Sequence, residues 1–195
     1  LSGNKMVTEI TIPKTLSSTG SSFSNLIEGD GPFAESNVQK ATIEAGMTVV
    51  PEHLFHKNST LTSVEIPDTV TEISRYAFAQ TGLENIELPS SVTTLQYEIF
   101  SGGNLLQISI PDSVTSMGNA IFQNCSKLQK VKLPKDRYNI SDYTFAGCTS
   151  MEEIQLPKTV TTIWPHAFDG CSSLKKVEWS DCLEAIKDNA FKDCT

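Results

Sequence analysis

The chain lacks most of what would mark a membrane protein, a metalloprotein or an enzyme. No apolar run approaches the roughly 18 residues that a membrane helix needs. No charged-then-apolar opening follows Leu1, so the sequence is read without a leader or a membrane-inserting segment. Cations are in deficit: 15 Lys and Arg face 23 Asp and Glu, a net charge of −8. That balance argues against a nucleic-acid-binding surface and against adhesion to anionic lipid. Of three His, only His53 and His56 are close in sequence. They make no metal site without carboxylates placed by the fold, and they are expected on the surface. The five Cys show no zinc or redox spacing. The glycines at Gly29, Gly31, Gly102 and Gly103 lack the Lys and the strand–helix context of a phosphate loop and read as turns. No Ser/His/Asp arrangement can be assembled from neighbouring positions, and the paired carboxylates Glu84/Glu87 and Glu152/Glu153 show no sign of a water-excluding cleft. The expectation is a non-catalytic chain with no cofactor and no metal.

What is present is a repeat. Hydrophobic residues make up 38% of the chain, enough for a packed core. Seven of the nine Phe form a ladder, at Phe55, Phe78, Phe100, Phe122, Phe145, Phe168 and Phe191, in steps of 22 or 23 residues. Pro67, Pro89, Pro111, Pro134 and Pro157 keep the same period. Two residue types sharing one period do not arise from composition. Further apolar columns run through Leu61, Leu83 and Leu105, through Val64, Ile86 and Ile108, and through Val50, Ile73 and Leu95. One unit cannot bury such residues; stacked units bury each column against itself. The alternating V-x-[IL] reads as a short strand, ended by a Pro that has no N–H to pair. The V-T-x-I segment is a candidate second short strand. The stretch before each ladder Phe reads as a turn or 3₁₀ piece. Cys125, Cys148, Cys171 and Cys194 stand three residues after a ladder Phe and are expected to be buried free thiols acting as small hydrophobes, with Cys182 off the column and more exposed.

The motif I-P-x-[ST]-V-T-x-I-x-x-x-A-F-x-x-C, with good copies at 66–78, 110–125 and 156–171, resembles the BspA-type leucine-rich repeat. The resemblance implies a right-handed leucine-rich solenoid, mostly β, with short parallel strands on the concave face and irregular or 3₁₀ pieces and short second strands on the convex side. The chain reads as a single leucine-rich repeat domain, 1–195, of about eight turns. Residues 1–37 are a degenerate first turn with an insertion, and 38–195 are regular 22–23-residue repeats. Both ends fall within a turn, as in a piece of a longer array. Proteins of that family are secreted or attached to the cell surface and are implicated in adhesion. The implied function is a non-catalytic interaction or adhesion module, the alternative being a structural spacer that presents another domain. The implied partners are macromolecular: a host matrix protein, another cell-surface protein or a glycan.

Three departures and two surfaces complete the reading. The insertion lies within 17–37, and either Phe23 or Phe33 takes the place of the missing ladder Phe. Arg137 stands where other turns have Val, so the backbone shifts locally there or the head reaches water. The residue two before each ladder Phe forms a column, His53, Tyr76, Glu98, Ala120, Tyr143, His166 and Asn189, that carries most of the remaining aromatics. With Tyr97 and Trp164 close by, Tyr76, Tyr97, Tyr143 and Trp164 are the first candidate contact residues. The insertion ranks second. On the concave face Glu84, Glu87, Lys130 and Lys132 rank third, because Lys130–Glu153–Lys176 forms a ready cross-strand ladder that neutralises much of that charge.

Overall fold

A computed structural model describes residues 7–17 and 31–195. Among them the chain forms fourteen short parallel strands and no helix. In chain order they are β1 (Glu9–Ile12), β2 (Lys40–Ile43), β3 (Val49–Val50), β4 (Ser63–Glu65), β5 (Glu72–Ile73), β6 (Thr94–Leu95), β7 (Gln107–Ser109), β8 (Ser116–Met117), β9 (Lys130–Lys132), β10 (Asn139–Ile140), β11 (Glu153–Gln155), β12 (Thr162–Ile163), β13 (Lys176–Glu178) and β14 (Ala185–Ile186). They lie in two rows. The V-x-[IL] segments make the first, concave row, and the V-T-x-I segments make the second. This is the β-solenoid expected from the repeat.

Neither row is one continuous sheet. The concave row pairs as β1-β2-β4, β7-β9 and β11-β13, not as the single eight-stranded sheet that the repeat suggests. Residues 84–88 form no strand. That gap sits where the turn shortens: Phe78 is five residues from Leu83, whereas Phe55 is six from Leu61. The second row pairs as β3-β5-β6-β8 and β10-β12-β14, and the break falls at Arg137. The Arg137 guanidinium donates to the carbonyl of Met117 at 3.4 Å, to the carbonyl of Asn139 at 2.8 Å, and to Asn139 Oδ1 and Ser141 Oγ at 2.9 Å each. Its head is thus hydrogen-bonded within the wall, and the residue is half-buried. In other turns the equivalent carbonyl accepts a backbone N–H; Leu95, for example, accepts from Gly118 at 2.9 Å. A side chain replaces a backbone bond, and burial pulls the Arg137 pKa down.

The core is the stack of columns. The ladder rings from Phe55 to Phe168 are at most 1% exposed. Neighbouring rings from Phe55 to Phe191 stack at centroid distances of 4.9 to 5.9 Å. Such offset pairs are worth roughly 0.5–1.5 kcal/mol each beyond area burial. Phe33 stacks on Phe55 at 5.6 Å and therefore takes the place of the missing ladder Phe. Phe23 and most of the insertion lie outside the described residues.

The segment around each ladder Phe is a third wall, made of turns and free of 3₁₀ structure. Two columns of residues sit in the left-handed region. Those two before each ladder Phe, from His53 to Asn189, have φ of 55 to 57°. Those two after, namely Lys57, Gln80, Gly102, Asn124, Gly147, Gly170 and Asp193, have φ of 55 to 74°. Alternate amides then bond in different directions. In one turn Tyr143, Phe145 and Gly147 donate to Pro165, Ala167 and Asp169 of the next, at 3.3, 2.8 and 2.7 Å. Between them Thr144, Ala146 and Cys148 donate back to Ser141, Tyr143 and Phe145. The thiols join in: Cys125, Cys148, Cys171 and Cys194 donate through Sγ to the carbonyls of Phe100, Phe122, Phe145 and Phe168 at 3.0 to 3.2 Å. They are free, and the first three are buried, as expected; they also act as donors.

Candidate functional site

Both left-handed columns lack β-branched residues, which pay the most for φ above zero. The column before each Phe was singled out for its rings, but backbone geometry selects it. Tyr, His, Asn, Glu and Ala all tolerate the position; Tyr143 and Asn189 are exposed, Tyr76, Glu98 and His166 are half-buried, and His53 and Ala120 are buried.

The structure divides that edge in two. Toward the N-terminus His53 stacks on Tyr76 at 4.8 Å, and the Tyr76 hydroxyl donates to Glu98 at 2.7 Å. Burial first, and the Glu98 bond second, push the Tyr76 phenol up to about 12. Tyr76 is half-buried and engaged within the edge, while Tyr97 beside it is exposed. Toward the C-terminus Tyr143 stacks on His166 at 4.8 Å, with planes 2° apart, and His166 Nδ1 lies 2.7 Å from Asp169. Tyr143 and Trp164 are exposed on adjacent turns, and among the described residues Tyr138 is the most exposed ring at 69%. The turn between the two groups presents Gly118, Asn119 and Ala120. Tyr97 and Tyr143 therefore stand two turns apart, about 10 Å at the spacing of paired strands.

His53 and His56 are not surface residues. Each is 3% exposed, and their Nδ1 atoms lie 3.1 Å apart. His53 Nε2 is 3.2 Å from Glu52, which also binds Arg75. Burial, then the neighbouring His56, hold His53 below the usual imidazole range. The sequence shows the two His three residues apart but not their burial, which comes from packing against Tyr76 of the next turn. Among the described residues no group of three His, Cys, Asp or Glu could hold a metal ion, and no helix is long and apolar enough to cross a membrane.

On the concave face Glu84, Glu87, Lys130 and Lys132 are all exposed. The expected Lys130–Glu153–Lys176 ladder does not form as drawn. Glu153 and Lys176 are in register on β11 and β13, but Lys176 binds Glu178 of its own strand at 2.6 Å. The cross-strand ion pair formed here is Lys175–Glu152 at 3.2 Å. Among the described residues Lys130 and Lys132 have no ion-pair partner, and β9 is not hydrogen-bonded to β11.

The sequence matches the BspA type Leucine rich repeat region in six copies, over residues 2–105, 28–148 and 71–195. Solved structures share the fold. A leucine-rich repeat protein from Bacteroides ovatus is 30% identical with a TM-score of 0.73, over 75% of this chain and 39% of that one. The chain thus spans about two fifths of that relative's length. A leucine-rich repeat protein from T. pallidum is 23% identical with a TM-score of 0.66, over 86% of this chain and 72% of that one. The pneumococcal vaccine antigen PcpA is 18% identical with a TM-score of 0.55, over 100% of this chain and 60% of that one. No curated protein matches the chain.

Proposed function

The chain belongs to the BspA-type leucine-rich repeat family, and on that premise we propose that it is a non-catalytic interaction module of a cell-surface or secreted protein. The observation that carries this reading is where the reactive groups go. The ladder thiols bond to Phe carbonyls, and burial pushes Cys125 and Cys171 up to about 12. The His53–His56 pair is spent inside the stack. The surface is left with polar rungs and exposed rings, which suit recognition of a large partner over several turns. The surface location draws support from a shared fold with a pneumococcal vaccine antigen. The adhesive role, with a matrix protein, another surface protein or a glycan as ligand, is part of the proposal.

The contacts we assign first are Tyr143 and Trp164, then Tyr97; Tyr76 contributes less because Glu98 already holds it. The test is binding of the chain to a panel of matrix proteins and glycans, with Tyr143→Ser and Trp164→Ser compared in one variant. A loss of affinity of about tenfold or more with the circular dichroism unchanged supports the edge. Unchanged affinity removes it. The alternative, a structural spacer, is favoured by a backbone that is bonded from turn to turn; a chain that binds nothing on the panel would support it.

A further inference from the structure

One turn carries a third of the molecule's cations. Five of the fifteen Lys and Arg fall between Lys127 and Arg137, in a chain whose net charge is −8. By contrast, residues 58–126 hold seven carboxylates and one cation, Arg75. Within the cationic turn Lys127, Lys130, Lys132 and Lys135 are all exposed, and none makes an ion pair among the described residues. Cations elsewhere on the concave face are engaged: Lys40 with Glu9, Lys175 with Glu152, Lys176 with Glu178. Lys130 and Lys132 project from the same face of β9, about 7 Å apart at the strand rise. The neighbouring strand sets neutral Gln107 and Ser109 beside them in register. From Lys127 to Lys135 the row crosses the concave face and spans at most about 28 Å.

We propose that this row binds a sulfated polysaccharide lying across the solenoid, along β9 and over Gln107 and Ser109. The proposal rests on the reading of the chain as an interaction module, but not on the aromatic edge. Three features select this occupant. The lysines are spaced point charges, suited to a chain of separate anionic groups. The face has no aromatic side chain to anchor a folded protein, and protein interfaces depend on such anchors. Carboxylates at Glu87 on one side and Glu153 on the other bound the row, so an anionic chain fits along the turn and is repelled along the axis of the stack.

The experiment measures binding of the whole chain to a heparin octasaccharide by calorimetry, at about 50 mM and about 200 mM NaCl. Binding that weakens with salt is expected. Lys130→Ser combined with Lys132→Ser should lower affinity about tenfold and flatten the salt slope. Lys175→Ser combined with Lys176→Ser, which removes cations already paired, should change it less than about twofold. Desulfated heparin and poly-glutamate should bind at least about tenfold more weakly than heparin. No binding at the lower salt, an equal effect of the two lysine pairs, or poly-glutamate binding as well as heparin each overturns the proposal. Loss of heparin binding in the Lys130/Lys132 variant with retained binding to a panel protein confirms a separate site. Absence of heparin binding alongside panel binding rejects the lysine row and leaves the interaction module standing.

Discussion

The concave strand wall and the Phe wall stack at the same period, yet they hold their turns together differently. In the strand wall the bonds run both ways: Thr62 and Ser63 donate back to Gln39, whereas Ile110 and Leu156 donate forward to Lys132 and Glu178. In the Phe wall an earlier turn donates to a later one, with three amides at every step from Phe55 to Phe191. The strand wall is the one with recognisable strand sequence, and it breaks into three sheets. The Phe wall reads as loops, and it is continuous. Strand propensity therefore says little about where a solenoid is most tightly joined. Close joining comes from alternate amides that are free to point along the stack, and the two left-handed residues around each Phe make that possible. Rings and thiols then fill the space inside.

The largest break in this comparison should come from a ladder ring. Phe145→Ala is expected to cost about 3–5 kcal/mol in urea unfolding, since it empties a fully buried site between Phe122 and Phe168. Removing a concave charge such as Glu152 should cost under about 1 kcal/mol. Equal costs would erase the distinction between the walls.

Backbone geometry gives the next effect. Tyr143→Val and Tyr143→Asn both lose the stack on His166, but only Val is β-branched at φ 55°. Val should be less stable than Asn by about 1–2 kcal/mol. The same exchange in the strand wall, Thr42→Val against Thr42→Asn, should favour Val, because β-branched residues suit a strand.

Arg137→Val sharpens the comparison by repairing a break. With the guanidinium gone, the Met117 carbonyl can accept a backbone N–H, and β8 can pair with β10. Stability should rise by about 1 kcal/mol, and hydrogen exchange at 138–141 should slow. Unchanged exchange would mean that Arg137 occupies the break without causing it.

The smallest effects are titrations. The buried thiols keep their protons in the folded chain, with Cys125 and Cys171 pushed up to about 12. Their contribution is intact below about pH 8.5, where unfolded thiols are also protonated, and is lost as pH climbs toward 12. Folded protein at neutral pH should alkylate at Cys182 and spare Cys125, Cys148 and Cys171, as read by mass spectrometry. His53 has the opposite dependence. Its pKa is lowered, so stability should fall as pH drops below about 6.5, and His53→Asn should blunt that fall.

The period, the apolar columns, the buried rings and the unbridged thiols were all legible in the residues. Burial in a solenoid follows from a one-dimensional pattern: a residue that recurs every 22 or 23 positions meets its own copies and is buried by them. The site was less legible. Exposure of Tyr143 and Trp164 was readable, but the gap at Gly118–Ala120 that splits the edge matters only once neighbouring turns are placed. The tertiary structure alone decided which turns share hydrogen bonds, where the sheets stop, and which charges meet. Those outcomes depend on the offset between adjacent turns, and a one-residue difference in turn length or one Arg in a Val column is enough to change it. Lys130 shows the consequence: its place in the repeat promised a partner in Glu153, and the stack left it exposed without an ion pair among the described residues.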